Sequence, residues 1–119
     1  MAAPNIVNIT SIIGRTNVQS VTTSPTDIIV NSAASNTVVK INSLIAANIN
    51  GTNPATITAS VFRSGTEFRI ANVISVPAAA SLVLIDKTTQ IYLEEGDSLR
   101  LTASANSFIQ AVCSYEVIS

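Results

Sequence analysis

The chain has 119 residues, a formal net charge of −1 and no histidine, and charged residues fill only 11% of its positions. This length suffices for one domain with its own core, and the lack of histidine excludes imidazole bases, imidazole metal ligands and histidine-assisted nucleophiles. The few arginines and lysines are scattered and form no basic stripe, so we expect no nucleic-acid binding through phosphates.

Hydrophobic residues make up 47% of the chain, but aromatic residues only 4%. A core built from Ile, Val, Leu and Ala favours stacked sheets over a cleft that grips a ligand. Ser, Thr and Asn occupy most polar positions, which is typical of a surface that meets other copies or a scaffold. A merely neutral, rigid domain would have the same composition, so both interpretations stay open.

Proline, glycine and short polar clusters divide the chain at regular intervals into segments of strand length. Several segments alternate, with Ile57, Ala59 and Val61 on one side and hydroxyl residues on the other. Segment 43–49 is ambiguous, but 37–41 before it is rich in β-branched residues, and we interpret the whole of 37–49 as strand with a possible bulge. The pattern predicts strands over 5–13, 17–22, 27–31, 37–49, 55–63, 66–75 and 81–93, followed by two closing runs.

Two turns stand out in this pattern. Ser64-Gly65 between alternating runs is a signal for a two-residue β-hairpin, because glycine supplies the positive φ that such turns need. The closing runs alternate from Leu99 and from Ile109 onward. We predict that they pair as a hairpin that ends the chain.

Eight or nine short strands without a helix predict an all-β fold, a single antiparallel two-sheet β-sandwich domain over 1–119. A jelly-roll topology is the first choice and an immunoglobulin-like one the alternative. No apolar run approaches the roughly 18 residues of a membrane span, so no membrane contact is expected. Residues 1–5 lack the cationic and apolar segments of a secretory signal, so we expect synthesis in the cytoplasm.

The acidic turn formed by Glu94, Glu95 and Asp97 is the one cluster that suggests a metal. Hard cations such as calcium bind clustered oxygen ligands, but this spacing matches no established calcium loop. We therefore favour a solvated turn in which Asp97 bonds its own backbone. No catalytic, cofactor-binding or metal-binding residue is predicted, and no cofactor.

Three arginines, Arg63, Arg69 and Arg100, fall on polar strand faces. They could form ion pairs between subunits with Glu67, Glu116 or the Glu94-Glu95 turn, whereas surface pairs within one subunit would contribute only about 0–1 kcal/mol. The lone Cys113 lies in phase with the apolar positions of the last run. It is predicted to fill the core rather than to react, since a reactive thiol needs an activating neighbour.

The sequence LEEGDSLRLTASAN at 93–106, followed by VCSYE at 112–116, resembles the C-terminal end of small structural proteins of tailed bacteriophages, especially cyanophages. The resemblance covers about the last third of the chain. It implies a β-sandwich built into the phage particle and does not distinguish head decoration from neck or tail attachment. Our first choice is a non-enzymatic capsid decoration (cement) protein that bridges major capsid subunits. A neck or tail adaptor, or a fibre-anchoring component, is the alternative. The implied location is the virion, and the implied partners are the major capsid protein or other virion proteins.

A glycan-binding β-sandwich is a third hypothesis. Sugars stack on exposed aromatic rings beside a few converging polar groups. The candidates for such a platform are Tyr92, Tyr115, Phe62, Phe68 and Phe108.

We also expect a homo-oligomer. Segments 5–13 and 37–49 carry one charge between them, at Lys40, and unguarded edge strands promote aggregation. If these segments are edges, partners are expected to cover them by strand addition or by flat packing. Shielding by loops of the same subunit is the alternative.

Overall fold

Nine β-strands account for most of residues 8–119, the part of the chain that the structure, a computed structural model, describes. No α-helix lies in this range, so none of these residues belongs to a helix that could cross a membrane. The strands are β1 (Ile12–Val21), β2 (Thr26–Val30), β3 (Val38–Asn48), β4 (Ala55–Arg63), β5 (Thr66–Val76), β6 (Ser81–Ile85), β7 (Ile91–Leu93), β8 (Ser98–Ala103) and β9 (Ile109–Ile118).

The strands form two antiparallel sheets. Sheet A has the order β1-β9-β3-β6, with β7 also paired to β3, and sheet B has the order β2-β8-β4-β5. The pairings are nested, because β1 pairs with β9, β2 with β8, β3 with β6 and β7, and β4 with β5. Such nesting is a long hairpin rolled into a sandwich, which is the jelly-roll arrangement. The first-choice topology is confirmed, and the immunoglobulin-like alternative is wrong.

The core lies between the two sheets and consists of aliphatic side chains from alternate strand positions. Leu99 and Leu101 of β8 face Ile109 and Cys113 of β9 across it, and all four are fully buried. Burying a side chain of this size stabilises the fold by about 1.5–3 kcal/mol. Because nearly every strand contributes such residues, the core needs no metal or disulfide.

The predicted closing hairpin is wrong. β8 belongs to sheet B and β9 to sheet A, so residues 104–108 carry the chain from one sheet to the other. Both strands turn their alternate apolar residues towards the same core. Alternation is therefore identical for two paired strands and for two strands in facing sheets, and only the pairing partners distinguish the cases.

Two other predicted boundaries are corrected. β1 runs through Gly14, which stays in register with Glu116 of β9, so the predicted break between 13 and 17 does not exist. Residues 8–11 precede this strand, and residues 5–7 of the predicted first segment lie outside the described range. Segment 81–93 is two strands, because Asp86 accepts hydrogen bonds from Thr88 and Thr89 and closes a turn between β6 and β7.

Segment 37–49 is not an edge. As β3 it pairs with β9 on one side and with β6 and β7 on the other, so its low charge reflects an interior position in sheet A. Its predicted bulge is confirmed by a register shift between Ile41 and Ser43. The Ser64-Gly65 hairpin is confirmed as well, with φ of 52° and 78° at the two turn residues, as a type I′ turn requires.

Candidate functional site

Four exposed aliphatic residues form a straight row across the outer face of sheet A. Val18 of β1 is opposite Val112 of β9, Val112 is opposite Ile45 of β3, and Ile45 is opposite Val83 of β6. Their exposed fractions lie between 36% and 74%. We call these four residues the aliphatic row. The row crosses β1, β9, β3 and β6, so the outer face of sheet A carries an apolar stripe at right angles to the strands.

Uncharged residues flank the aliphatic row on both sides. One neighbouring set contains hydroxyl, amide and methyl groups, from Ser20, Gln110, Ala47 and Ser81. The other contains only hydroxyl groups, from Thr16, Ser114 and Ser43. The next position along this face holds Lys40 opposite Glu116, whose charged atoms are 3.9 Å apart. A flat apolar stripe with a polar, uncharged border has the composition of a protein–protein contact surface.

The outer face of sheet B, unlike the aliphatic row of sheet A, carries charged side chains at its centre. Arg100 of β8 is opposite Asp27 of β2, with 3.0 Å between Arg100 Nε and Asp27 Oδ1. The Arg100 guanidinium also lies 3.8 Å from the centre of the Phe62 ring, a cation–π contact. On the same face, Ser60 of β4 is opposite Arg100 and donates a hydrogen bond to Glu67 of β5. The two outer faces therefore differ: sheet A has an uncharged apolar centre with one ion pair near its end, whereas sheet B has charged groups at its centre.

The acidic turn between β7 and β8 holds an ion cluster rather than a solvated loop. Asp97 is buried and accepts hydrogen bonds from Arg63 Nε at 2.8 Å and from the Glu94 backbone N–H at 2.8 Å. Arg63 also bonds the exposed Glu94 through Nη2, at 2.9 Å. The hydrogen bonds from Arg63 hold the pKa of Asp97 below its usual range, although burial opposes them. The solvated turn is wrong for Asp97, whereas its local backbone bond is confirmed.

This turn does not assemble into a metal centre. Glu95 points away from the cluster and accepts a hydrogen bond from the backbone N–H of Asn36 at 2.9 Å. Among residues 8–119, no group of three or more Asp, Glu, Cys or His residues is arranged to hold a metal ion. The three carboxylates of the turn therefore do not converge on one point: Glu95 bonds Asn36, whereas Glu94 and Asp97 share Arg63. Asp97 anchors the β4–β5 hairpin to the β7–β8 turn through Arg63.

The arginines singled out from the sequence bind within their own chain. Arg63 is held by Asp97 and Glu94, and Arg100 by Asp27. Arg69 donates from Nη1 to Asn72 at 2.9 Å. Glu94 is among the acidic partners that the sequence suggests for Arg63, whereas Asp27 is not among those for Arg100, because 73 residues separate the two.

The aromatic residues divide into an exposed pair and a covered set. Phe68 and Tyr92, 57% and 42% exposed, line one groove together with Val61, Arg63 and Ile91. Tyr115 is buried and donates its hydroxyl hydrogen to Asn17 Oδ1 at 3.1 Å. Phe62 lies under Arg100, and Phe108 packs against the core. Only two of the five candidates for a sugar platform therefore share an accessible groove.

Cys113 is fully buried between the sheets, which confirms its predicted place in the core. Burial raises the pKa of its thiol to about 12. A thiol that stays protonated and out of contact with solvent is a poor nucleophile. Cys113 therefore packs as a small apolar side chain.

Comparison with known proteins adds to the fold but not to the site. No protein-family model and no curated protein matches the chain. Among solved structures, it is similar to a protein of Bacillus endospore appendages, which are described as a novel family of disulfide-linked pili. The TM-score is 0.53 at 12% sequence identity, over 90% of this chain and 85% of that one. At this identity the likeness shows the shared β-sandwich fold alone.

Proposed function

We propose that the chain is a non-enzymatic structural protein of a phage particle, and specifically a capsid decoration protein that stabilises the head by bridging major capsid subunits. The observation that carries the assembly role is the exposed aliphatic row on the outer face of sheet A, with its uncharged border. The assignment to a phage particle is supported by the resemblance of residues 93–106 and 112–116 to virion proteins.

The placement of the charged residues supports a structural role over catalysis. Arg63, Asp97 and Glu94 bind one another, and so do Arg100 and Asp27, and Lys40 and Glu116. A catalytic acid or base must reach a substrate in a cleft with a pKa suited to proton transfer. Here these side chains connect strands and turns of the sandwich, which is what a rigid building block requires.

The similarity to a disulfide-linked pilus protein does not extend to its covalent linkage. Cys113 is the one cysteine of the sequence, and it is buried between the sheets. A disulfide between copies would require Cys113 to leave the core. Contacts between copies of this chain are therefore expected to form without disulfides.

The number of copies in purified phage particles tests the proposal. Quantitative protein gels are expected to show on the order of hundreds of copies, because a decoration protein follows the symmetry of the capsid lattice. About a dozen copies would instead support the neck or tail alternative, since those parts are single rings. Absence of the protein from washed particles would overturn a virion role altogether.

Glycan binding is the second candidate, and the groove that contains Phe68 and Tyr92 is the observation that favours it. Two exposed rings beside Arg63 offer stacking surfaces and hydrogen-bond donors to a sugar. A glycan array with the purified protein tests this, and a hit that is lost in Tyr92→Ala but kept in the matched surface variant Val30→Ala would support it. An array without any binder would remove this candidate.

A further inference from the structure

We propose that the outer face of sheet A packs against the same face of a second copy of this chain, with one aliphatic row lying on the other. This inference rests on the assembly part of the proposed function, and it names the surface and the partner. It does not depend on the particle in which the protein works.

The aliphatic row is suited to such a symmetric contact. A two-fold axis in the plane of the contact, parallel either to the row or to the strands, lays the row of one copy on the row of the other. In both arrangements Val112 meets Val112 or Ile45 of the second copy. Two sheets packed in this way lie about 10 Å apart, which is the spacing at which aliphatic side chains interdigitate.

The face is large enough for a stable pair. Four strands about 4.8 Å apart give a width of about 19 Å, and the ten residues of β1 or β9 give a length of about 33 Å. Each copy therefore contributes roughly 600 Å², and the pair buries about 1,200 Å² in total. That value reaches the lower limit of stable protein–protein interfaces.

Charge explains why the occupant is a second copy and why it uses this face. The row and its flanking residues carry no charge, and the Lys40–Glu116 pair lies at the rim of the face, four residues from Val112 along β9, so a self-contact buries no ion at its centre. A partner with a strongly charged surface would find nothing here to pair with. A self-contact through the outer face of sheet B would instead bury the Arg100–Asp27 pair, and it would bring Arg69 close to Arg69 of the second copy.

Sedimentation equilibrium of the full chain tests the proposal. The wild-type protein is expected to be a dimer at micromolar concentration, and Val112→Lys at the centre of the row is expected to raise the dissociation constant at least 100-fold. Thr102→Lys is the matched control, because Thr102 lies on β8, outward on sheet B. It is expected to leave the dimer intact.

Cross-linking provides a second measurement that does not depend on how well the lysine variant folds. Val112→Cys is expected to couple to a second copy through a short bismaleimide, because both symmetric arrangements bring the two positions within about 10–12 Å. Thr102→Cys, on the opposite face, is expected to stay uncoupled. The native Cys113 does not interfere, since it is buried.

Three results would overturn the inference. The first is a wild-type protein that stays monomeric and is not cross-linked at high concentration. The second is a dimer that survives Val112→Lys. The third is a monomeric wild-type protein that binds phage particles and loses only this binding in Val112→Lys. The last result would assign the face to a capsid protein. It would leave the virion role standing, so the two proposals fail separately.

Discussion

Replacing Arg63 with methionine removes the cation that holds the buried carboxylate of Asp97. The carboxylate keeps its bond from the Glu94 backbone N–H but loses both guanidinium bonds. Exposed ion pairs contribute about 0–1 kcal/mol, whereas breaking a fully buried pair costs about 3–5 kcal/mol. The Asp97 side chain is 3% exposed and that of Arg63 45%, so this pair lies between the two cases. We expect Arg63→Met to lower the free energy of unfolding by about 2 kcal/mol at neutral pH.

The penalty should depend on pH in one direction. The pKa of Asp97 is lowered in the folded protein, chiefly by its hydrogen bonds with Arg63. Its stabilising contribution is therefore present above the unfolded pKa of about 3.9 and is lost as the pH falls through the folded pKa. The difference between the wild type and Arg63→Met is expected to be largest near neutral pH. It should shrink towards zero in acid, where Asp97 is protonated in both proteins.

Urea unfolding at neutral pH and at several acidic values measures this difference. Arg69→Met is the matched control: it removes an arginine of the adjacent strand that bonds only an exposed Asn72 side chain, and it should cost less than about 0.5 kcal/mol. An Asp97→Asn variant completes a double-mutant cycle, which isolates the coupling between the two side chains. A penalty that stays constant into acid, or one equalled by Arg69→Met, would refute the reasoning.

Three further predictions concern single positions. Gly65→Ala is expected to destabilise the fold by about 1–2 kcal/mol, because the φ of Gly65 is 78°. Gly14→Ala should stabilise the fold by about 0.5 kcal/mol, because Gly14 lies in a strand with free space around its Cβ position. Urea unfolding that gives both variants the same stability would contradict this. Val73→Asn is expected to stabilise the fold by about 1 kcal/mol, since a β-branched residue at a φ of 52° is strained, and a lower melting temperature would disprove it. Cys113→Ser should lower the free energy of unfolding by about 2 kcal/mol, because the serine hydroxyl would be buried between the sheets. Cys113 of the native protein should resist thiol reagents until the protein unfolds, and rapid labelling of the folded protein would show that the core is open.

Alternation along the sequence was enough to predict the fold class and most inward-facing positions. Ile57 and Ala59 are buried as predicted, and so are Ile109, Ala111 and Cys113. The Ser64-Gly65 turn was also predictable, because its geometry depends on two adjacent residues. These features are local, and local chemistry determines them.

The pairing of strands was not predictable in the same way. Alternation shows which side chains share a face of one strand, but the aliphatic row depends on the register of four strands that are distant in sequence. The link between Arg63 and Asp97 is similar, since 34 residues separate them. The closing hairpin failed for this reason, because the pattern of β8 and β9 contains no information on which sheet each strand joins.

The edges of the two sheets show why faces, rather than edges, are the surfaces left for assembly. β2, β6 and β7 are edge strands of only five, five and three residues, and short edges offer little template for strand addition. The long edge strand β5 carries Glu67 and Arg69, and irregular pairing with β4 around Ala59 bends it away from a regular ladder.

The remaining edge, β1, is bridged to sheet B by its own side chains. Asn17 Nδ2 donates to the Ile28 carbonyl at 2.9 Å, and Gln19 Nε2 donates to the Asp27 carbonyl at 3.1 Å. These contacts tie β1 to the neighbouring strand β2 of the other sheet. Each edge is thus short, bulged and charged, or bridged within the chain. The broad apolar surface without such protection is the outer face of sheet A, and a second copy lying on it would bury the aliphatic row without opening any strand.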